Sequence, residues 1–184
     1  SYPGLTTRWL AKKADLVFLA YAEARSFLPR SRAKIIITGN PIDFRPLAKT
    51  PEIFSRLGLS ESLKTILAFG GSQGAASLNR AIAQLLTRQI LPQGYQLLWQ
   101  TGAAEYEKYR QLVNDRKLNA VHVCPFIEQM SAAYSVAEFA VCRAGAMTLS
   151  ELMAAGLPAI LIPFPFAAAD HQYKNALALA QKQA

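Results

Sequence analysis

Two stretches of the 184-residue chain place glycine and other small residues directly between an apolar run and a helical pattern. The first is residues 70–75 (GGSQGA), which includes Ser72 and Gln73, and the second is residues 143–148 (RAGAMT). Glycine lets the backbone turn sharply and lets a ligand approach its N–H groups, and a helix start adds unpaired N–H donors. Each turn could therefore bind an anion, although a tight turn without a ligand would use the same residues.

Thr148 and Glu151, in the second stretch, allow two interpretations. Their spacing, Thr-x-x-Glu, is that of a capping box, in which Glu151 only closes the start of a helix. Alternatively, residues 145–148 present N–H groups to a diphosphate, and the carboxylate of Glu151 accepts hydrogen bonds from ribose hydroxyls. The presence of two anion-ready helix starts in one sheet favours a ligand, but the sequence leaves both interpretations open.

The spacing of the first turn excludes two common nucleotide motifs. It lacks the GxGxxG pattern, and the next strand ends in WQTG (99–102) without an acidic residue for a ribose 2′-OH. No Gly-Lys-Ser/Thr follows the turn, so it is not a P-loop. We therefore expect no dinucleotide cofactor.

A third stretch, residues 163–176 (PFPFAAADHQYKNA), joins two stiffening prolines to a polar cluster that opens a helix. Asp170 has the position of a helix cap, and His171 and Gln172 follow it. The other histidine, His122, lies in a strand pattern and is predicted to be a core or edge residue. No Ser/His/Asp set for nucleophilic catalysis is recognisable. No cluster of metal ligands is recognisable either, so we expect no metal site.

These stretches must be positioned by strands and helices, which the hydrophobic pattern predicts. Apolar strand patterns occupy residues 15–21, 34–39, 65–70, 95–100, 120–124, 139–143 and 159–163. Helical patterns occupy residues 4–13, 52–57, 104–116, 130–136 and 148–155, and two more begin near residues 75 and 170. From residue 64 strands and helices alternate, which predicts an α/β fold with a parallel sheet covered on both faces. Ligands bind such sheets beyond the carboxyl ends of the strands, where all three stretches lie.

The domain organisation follows from the same pattern. We assign residues 1–40 to the end of one domain, the proline-rich residues 41–63 to a linker, and residues 64–184 to a second domain. The chain starts at Ser1 without Met and ends in a helical pattern at Ala184, so we expect it to be a piece of a longer protein.

The composition indicates which kinds of partner and membrane segment we do not expect. The net charge is +8, but the bases are scattered without a dense run or an aromatic–basic motif, so we expect no nucleic-acid partner. The longest apolar stretch, residues 154–169, is broken by glycine and proline and is too short to span a bilayer. Cys124 and Cys142 lie in apolar runs without a CxxC pair, and we expect them to be buried thiols.

Five motifs, in this order, resemble the carboxyl-terminal domain of the family 28 glycosyltransferases that complete lipid II in peptidoglycan synthesis. They are GGSQGAASLN (70–79), PFIEQM (125–130), CRAGAMTLSEL (142–152), AAGLPAILIPFP (154–165) and DHQYKNA (170–176). YPGLTTRWLAKKAD (2–15) and TGNPI (38–42) resemble the end of the first domain in the same family. The resemblance implies a two-domain GT-B enzyme that transfers N-acetylglucosamine (GlcNAc), with inversion, from UDP-GlcNAc to a polyprenyl-diphosphate lipid acceptor. It also implies a peripheral place on the cytoplasmic face of the inner membrane, and no metal or cofactor.

The resemblance also implies roles for individual residues. Ser72 matches a serine near the nucleotide's phosphate, with Gln73 beside it, and Ile127 matches the position whose backbone contacts uracil. His171 and Gln172 match a pair near the nucleotide and the sugar, and Glu151 matches the ribose-binding carboxylate. The diphosphate turn is matched by Gly145, Ala146, Met147, Thr148, Leu149 and Ser150.

The chain departs from the family pattern in two places. Asp43 stands where the family has an arginine after Gly-Asn-Pro-x, and Arg45 follows two residues later. The family's acceptor loop, with its histidine, would precede Ser1, so we expect no catalytic residue in this chain. Three alternatives stay open: a diacylglycerol glycosyltransferase, the donor-binding subunit of a split enzyme, and an inactive nucleotide-sugar sensor.

Overall fold

The computed structural model describes residues 3–167 and 170–181, and the chain divides into two compact units. The larger unit comprises Phe44–Arg143 and Leu152–Ile162. The smaller unit comprises Ser1–Asp43, Ala144–Glu151 and Pro163–Ala184. Residues 1–2, 168–169 and 182–184 of the predicted domains lie outside the described residues. The functional boundaries at residues 40 and 63 stay predictions.

The order of the elements follows the predicted alternation of strands and helices. The amino-terminal part contains helix α1 (Leu5–Leu10), strand β1 (Leu16–Leu19), a 3₁₀ helix (Ala22–Phe27) and strand β2 (Lys34–Ile37). The chain then forms α2 (Pro51–Arg56), β3 (Lys64–Phe69), α3 (Ala76–Thr87), β4 (Tyr95–Gln100), α4 (Tyr106–Asp115), β5 (Val121–Cys124), α5 (Met130–Val136), β6 (Ala137–Cys142), α6 (Ala146–Ala155), β7 (Ala159–Leu161) and α7 (His171–Gln181).

The larger unit is built on a five-stranded sheet in the order β5-β4-β3-β6-β7, with every pair parallel. Phe69 at the end of β3 is in register with Gln100 of β4 on one side and with Cys142 of β6 on the other. Gln100 is in turn level with Cys124 of β5. The carboxyl ends of these four strands therefore form one edge, as the sequence predicts.

Helices pack on both faces of the central strands of this sheet, because those strands are apolar on both sides. On one face Ile66 and Ala68 join residues of α3 and α4 in a buried cluster around Trp99 and Tyr109, whose ring centroids are 4.7 Å apart. On the other face the ring of Phe69 lies 6.0 Å from that of Tyr134 of α5, in an edge-to-face arrangement. The predicted α/β class with a parallel sheet is confirmed.

The smaller unit contains a two-stranded parallel sheet, in which Leu16 of β1 is in register with Lys34 of β2. Both strands are shorter than the predicted runs 15–21 and 34–39. Among the residues that the structure describes, no helix is both long and apolar enough to cross a membrane.

Candidate functional site

The glycine-rich turn after β3 is held by direct contact with the backbone that follows β4. Gly74 has a φ of +75°, and a β-carbon there would overlap the carbonyl oxygen of Thr101. Gly102 has a φ of +81°, and a β-carbon there would lie 2.5 Å from the carbonyl oxygen of Gln73. Both positions therefore require glycine, because any other side chain would force the two turns apart.

Ser72 and Gln73 lie on this turn and are exposed. The N–H of Gly74 donates to the carbonyl oxygen of Gly71 at 2.9 Å, which closes the turn, and α3 begins two residues later at Ala76. The cap residue Ala75 has an extended backbone and no hydrogen-bonding side chain. The first N–H groups of this twelve-residue helix thus lack a side-chain cap, as the anion-binding interpretation expects.

Gln100, the last residue of β4, joins this turn to the segment after β5. Its Nε2 donates to the carbonyl oxygen of Gly71 at 2.9 Å, and its Oε1 accepts from the N–H of Ile127 at 2.8 Å. Gln100 is only 2% exposed, and Ile127 is buried as well. The structure thus brings Ser72, Gln73 and Ile127 to the carboxyl edge of the sheet, with Gln100 between them.

A buried asparagine supports the same edge from α3. Asn79 donates through Nδ2 to the carbonyl oxygen of Thr101 at 2.8 Å and to Oε2 of Glu105 at 2.7 Å. Its Oδ1 accepts from Nε1 of Trp99 at 3.0 Å. Since these three bonds use both donors and the acceptor of a fully buried amide, they fix the segment after β4 against α3.

Arg143, directly after β6, brings a cation to the start of α3. Its Nη2 donates to the hydroxyl of Ser77 at 2.5 Å, and its Nη1 donates to the carbonyl oxygen of Ile162 at 3.0 Å. Arg143 is 8% exposed, and burial lowers the pKa of its guanidinium from the ordinary value. A guanidinium beside the positive end of a helix dipole is poorly placed for stability alone but well placed to bind an anion.

In the smaller unit, the start of α6 corrects the capping-box interpretation. The helix begins at Ala146, and the N–H of Leu149 already bonds to the carbonyl oxygen of Gly145 at 3.0 Å. Gly145 is therefore the cap, and Thr148 lies inside the first turn. Glu151 falls in the second turn, where its side chain is half-buried and too far along the helix to close a capping box. The register rules out Glu151 as part of an N-terminal cap.

Two asparagines hold the turn at residues 144–150 within the smaller unit. Asn40 donates through Nδ2 to the carbonyl oxygen of Ala146 at 3.1 Å and to the hydroxyl of Ser150 at 2.8 Å. Asn175 of α7 donates through Nδ2 to the carbonyl oxygen of Ala144 at 3.2 Å and is buried. Residues distant in sequence thus fix the backbone that is predicted to contact a diphosphate.

His171 and Gln172 open α7, as predicted, and both are half-buried. The Oε1 atom of Gln172 accepts from the N–H of Phe164 at 2.9 Å, which ties the proline-rich segment to the helix. Asp170 precedes the helix with a φ of +53°. His171 and Gln172 belong to the same unit as residues 145–151.

The remaining candidate side chains, His122, Cys124 and Cys142, lie on strands of the sheet. His122 is half-buried on the edge strand β5, and burial lowers its pKa. Burial raises the pKa of Cys124 to about 11 and that of Cys142 to about 12. Within residues 3–167 and 170–181, no group of three or more His, Cys, Asp or Glu side chains could hold a metal ion.

Sequence reasoning missed four residues that organise these turns: Gln100, Asn79, Asn40 and Asn175. Each lies within or next to a motif named above, but its partners are 20 or more residues away in the chain. Arg143 belongs to one of those motifs, but its role was not predicted from the sequence. The available signal was a charged or amide residue at the end of an otherwise apolar strand, as in YQLLWQ and FAVCR.

Comparisons with known proteins relate the chain to one family of glycosyltransferases. A family model described as the glycosyltransferase family 28 C-terminal domain matches residues 65–184. Two relatives carry the name UDP-N-acetylglucosamine–N-acetylmuramyl-(pentapeptide) pyrophosphoryl-undecaprenol N-acetylglucosamine transferase. The one from Chlorobaculum tepidum is 40% identical over 97% of this chain and 48% of its own length. The one from Parabacteroides distasonis is 42% identical over all of this chain and 50% of its own length.

A solved structure shows the same fold. The crystal structure of Acinetobacter baumannii MurG matches with a TM-score of 0.69 and 30% identity, over 98% of this chain and 48% of that one. The chain thus spans about half the length of the relatives it matches. On the family match and these identities, the chain belongs to glycosyltransferase family 28, whose carboxyl-terminal domain model matches residues 65–184.

Proposed function

We propose that this chain is the UDP-GlcNAc-binding part of an inverting transferase that moves GlcNAc onto undecaprenyl-diphosphoryl-N-acetylmuramyl-pentapeptide in peptidoglycan synthesis. The names of its relatives support this substrate pair. The observation that carries the proposal is the start of α3, which follows a glycine turn and has the buried guanidinium of Arg143 against its first turn. That arrangement suits a phosphate group of a nucleotide.

The proposed contacts are assigned turn by turn. Ser72 and Gln73 contact a phosphate, and the backbone of residues 145–150 contacts the diphosphate. Glu151 accepts hydrogen bonds from the ribose hydroxyls, which its register in the second turn of α6 supports. His171 and Gln172 contact the sugar or its phosphate. Ile127 contacts the uracil through its backbone, and because its N–H is already bonded to Gln100, its carbonyl oxygen is the group offered to the base.

Transfer with inversion breaks the bond between the anomeric carbon of GlcNAc and the oxygen of the diphosphate. The acceptor hydroxyl attacks the opposite face of that carbon and loses its proton to a general base, while UDP leaves with an additional negative charge. Fixed N–H donors and a guanidinium stabilise charge that develops on a leaving group. In this chain the helix starts and Arg143 supply those donors. His122 on its edge strand does not have the setting of a general base, and we place the base outside these residues.

The acceptor is a lipid, so the proposed enzyme works at the cytoplasmic face of the bacterial membrane as a peripheral protein. In the smaller unit, Leu5 and Trp9 of α1 are exposed, and Nζ of Lys13 lies 4.9 Å from the centroid of the Trp9 ring. Exposed apolar side chains beside cations suit the surface of an anionic membrane. The net charge of +8 acts in the same direction.

Calorimetric titration of the 184-residue chain tests the donor. UDP-GlcNAc is compared with UDP-GalNAc, UDP-glucose and GDP-mannose under identical buffer and salt. The proposal expects the tightest binding for UDP-GlcNAc and the weakest for GDP-mannose. A preference for UDP-glucose would favour another lipid-directed glycosyltransferase instead. A preference for GDP-mannose would overturn the proposed function.

A further inference from the structure

Gln100 occupies the position on β4 from which a side chain reaches both neighbouring strand ends. β4 lies between β3 and β5, and Gln100 is level with Phe69 on one side and Cys124 on the other. The turn after β3 accepts its hydrogen bond at Gly71, and the segment after β5 donates one to it from Ile127. One buried side chain therefore bridges these two segments directly.

An amide is the functional group that can make both bonds. One bond needs a donor for the carbonyl oxygen of Gly71, and the other needs an acceptor for the N–H of Ile127. A carboxylate at the same position only accepts, and a thioether of similar length makes neither bond well. Because the site is almost completely buried, a backbone group that lost its partner there would be left without a hydrogen bond, and the segment would move to find one.

We propose that Gln100 is a positioning residue that sets the distance between the nucleobase segment at Ile127 and the phosphate turn at residues 70–75. This inference rests on the function proposed above. A uridine diphosphate touches both segments at once, so its affinity depends on their spacing. Uridine alone has no diphosphate and does not reach the phosphate turn, so its affinity is much less sensitive to that spacing. Gln100 thereby selects a linked base and diphosphate of one length.

Gln96 provides a matched control on the same strand. It is four residues earlier, is fully buried and also has both ends of its amide bonded. It accepts from the N–H of Ser60 at 2.9 Å and donates to the carbonyl oxygen of Ser60 at 2.7 Å and to the hydroxyl of Thr65 at 3.0 Å. These partners lie at the amino end of the sheet, away from the edge that carries Ser72 and Ile127.

The experiment compares Gln100→Met with Gln96→Met in the 184-residue chain. Thermal unfolding gives the cost to stability, and calorimetry or ligand-observed NMR gives the dissociation constants for UDP and for uridine. We expect both variants to lower Tm. Only Gln100→Met should weaken UDP binding, by about tenfold, which corresponds to about 1.4 kcal/mol. Its affinity for uridine should change by less than about threefold, and Gln96→Met should bind both ligands like the wild type.

Three results would overturn the inference. UDP affinity could be unchanged in Gln100→Met, it could fall equally in both variants, or uridine affinity could fall as far as UDP affinity. The last two would make Gln100 a general stabilising residue or a direct base contact. If Gln100→Met does not fold, Gln100→Asn keeps an amide that is too short to reach both partners and is held to the same expectations. Failure of the wild-type chain to bind UDP would instead overturn the proposed function, and the inference with it.

Discussion

The guanidinium of Arg143 donates to the hydroxyl of Ser77 across 2.5 Å, joining the end of β6 to the first turn of α3. The two residues are 66 positions apart in the chain. Their contact places a buried positive charge at a helix start that already favours negative ligands. The electrostatic part of the proposed function depends on this pair.

Replacing Arg143 should therefore weaken binding of a diphosphate more than it alters the fold. We expect Arg143→Lys, which keeps the charge but loses the planar donor set, to weaken UDP binding by about tenfold, close to the lower limit for a charged hydrogen bond. Arg110→Lys is the control, because Arg110 is exposed on α4 and pairs there with Glu107 at 2.7 Å. Calorimetry should find UDP affinity unchanged in the control. If the two variants bound UDP equally well, Arg143 would not contribute to the binding site.

Glu151 gives a sharper test, because the structure has removed its capping role. We expect Glu151→Gln to weaken UDP binding by about ten- to a hundredfold, the equivalent of about 1.5–3 kcal/mol for a charged hydrogen bond. The Tm of the chain should change little. With 2′-deoxy-UDP the wild type should lose affinity, whereas the variant should lose much less, since the partner is already weakened. Independent, additive losses from the two changes would contradict a contact between Glu151 and the ribose.

Gly74 should tolerate no side chain. Gly74→Ala is expected to lower the free energy of unfolding by more than about 2 kcal/mol, because it adds an overlap with Thr101 to the strain of a positive φ. Gly94→Ala separates the two causes, since Gly94 has a φ of +80° and a β-carbon added there would meet no heavy atom within 4 Å. Urea unfolding of both variants measures the difference. Equal losses would show that backbone strain alone fixes the turn.

The buried thiol of Cys142 predicts a loss of stability in alkali, whereas Cys124, expected from the sequence to be buried, is only partly buried. The pKa of Cys142 is raised to about 12 in the folded chain, and an unfolded cysteine titrates near a pKa of about 8.5. The folded state therefore holds its proton over a range in which the unfolded state loses it, so stability is full below about pH 8.5 and falls as the pH rises toward about 12. Cys142→Ala should show a shallower alkaline decline in urea unfolding. If stability declined with the same slope in Cys142→Ala, groups other than Cys142 would cause the decline.

The sheet and most helices could be predicted because each depends on a local pattern. The runs TILAFG and YQLLWQ are apolar enough to be recognised as buried strands, and both are strands in the structure. The start of α6 was misplaced because Thr148 and Glu151 imitate a capping box, whereas Gly145 caps the helix. Local spacing could not distinguish the two, because the true start is fixed by Asn40 and Asn175 from other parts of the smaller unit.

The candidate site was predictable as a set of turns but not as a set of contacts. Gln100 ends β4 and Arg143 directly follows β6, and a polar residue at such a place is usually interpreted as the beginning of a loop. Their buried contacts depend on strand order, which places β4 between β3 and β5, and β6 beside β3. The alternation of strands and helices predicts a parallel sheet without giving that order, so the partners of these side chains could not be named from the sequence.

The central claim is that this chain binds a uridine diphosphate through the segment at Ile127 and the glycine turn at residues 70–75. Calorimetric titration of the 184-residue chain with UDP, GDP and ADP, at one salt concentration, tests it most directly. The account predicts measurable binding of UDP and affinities at least about tenfold weaker for GDP and ADP, since a purine would not match the backbone edge at Ile127. Equal binding of all three nucleotides would show that only the phosphates are recognised and would contradict the account.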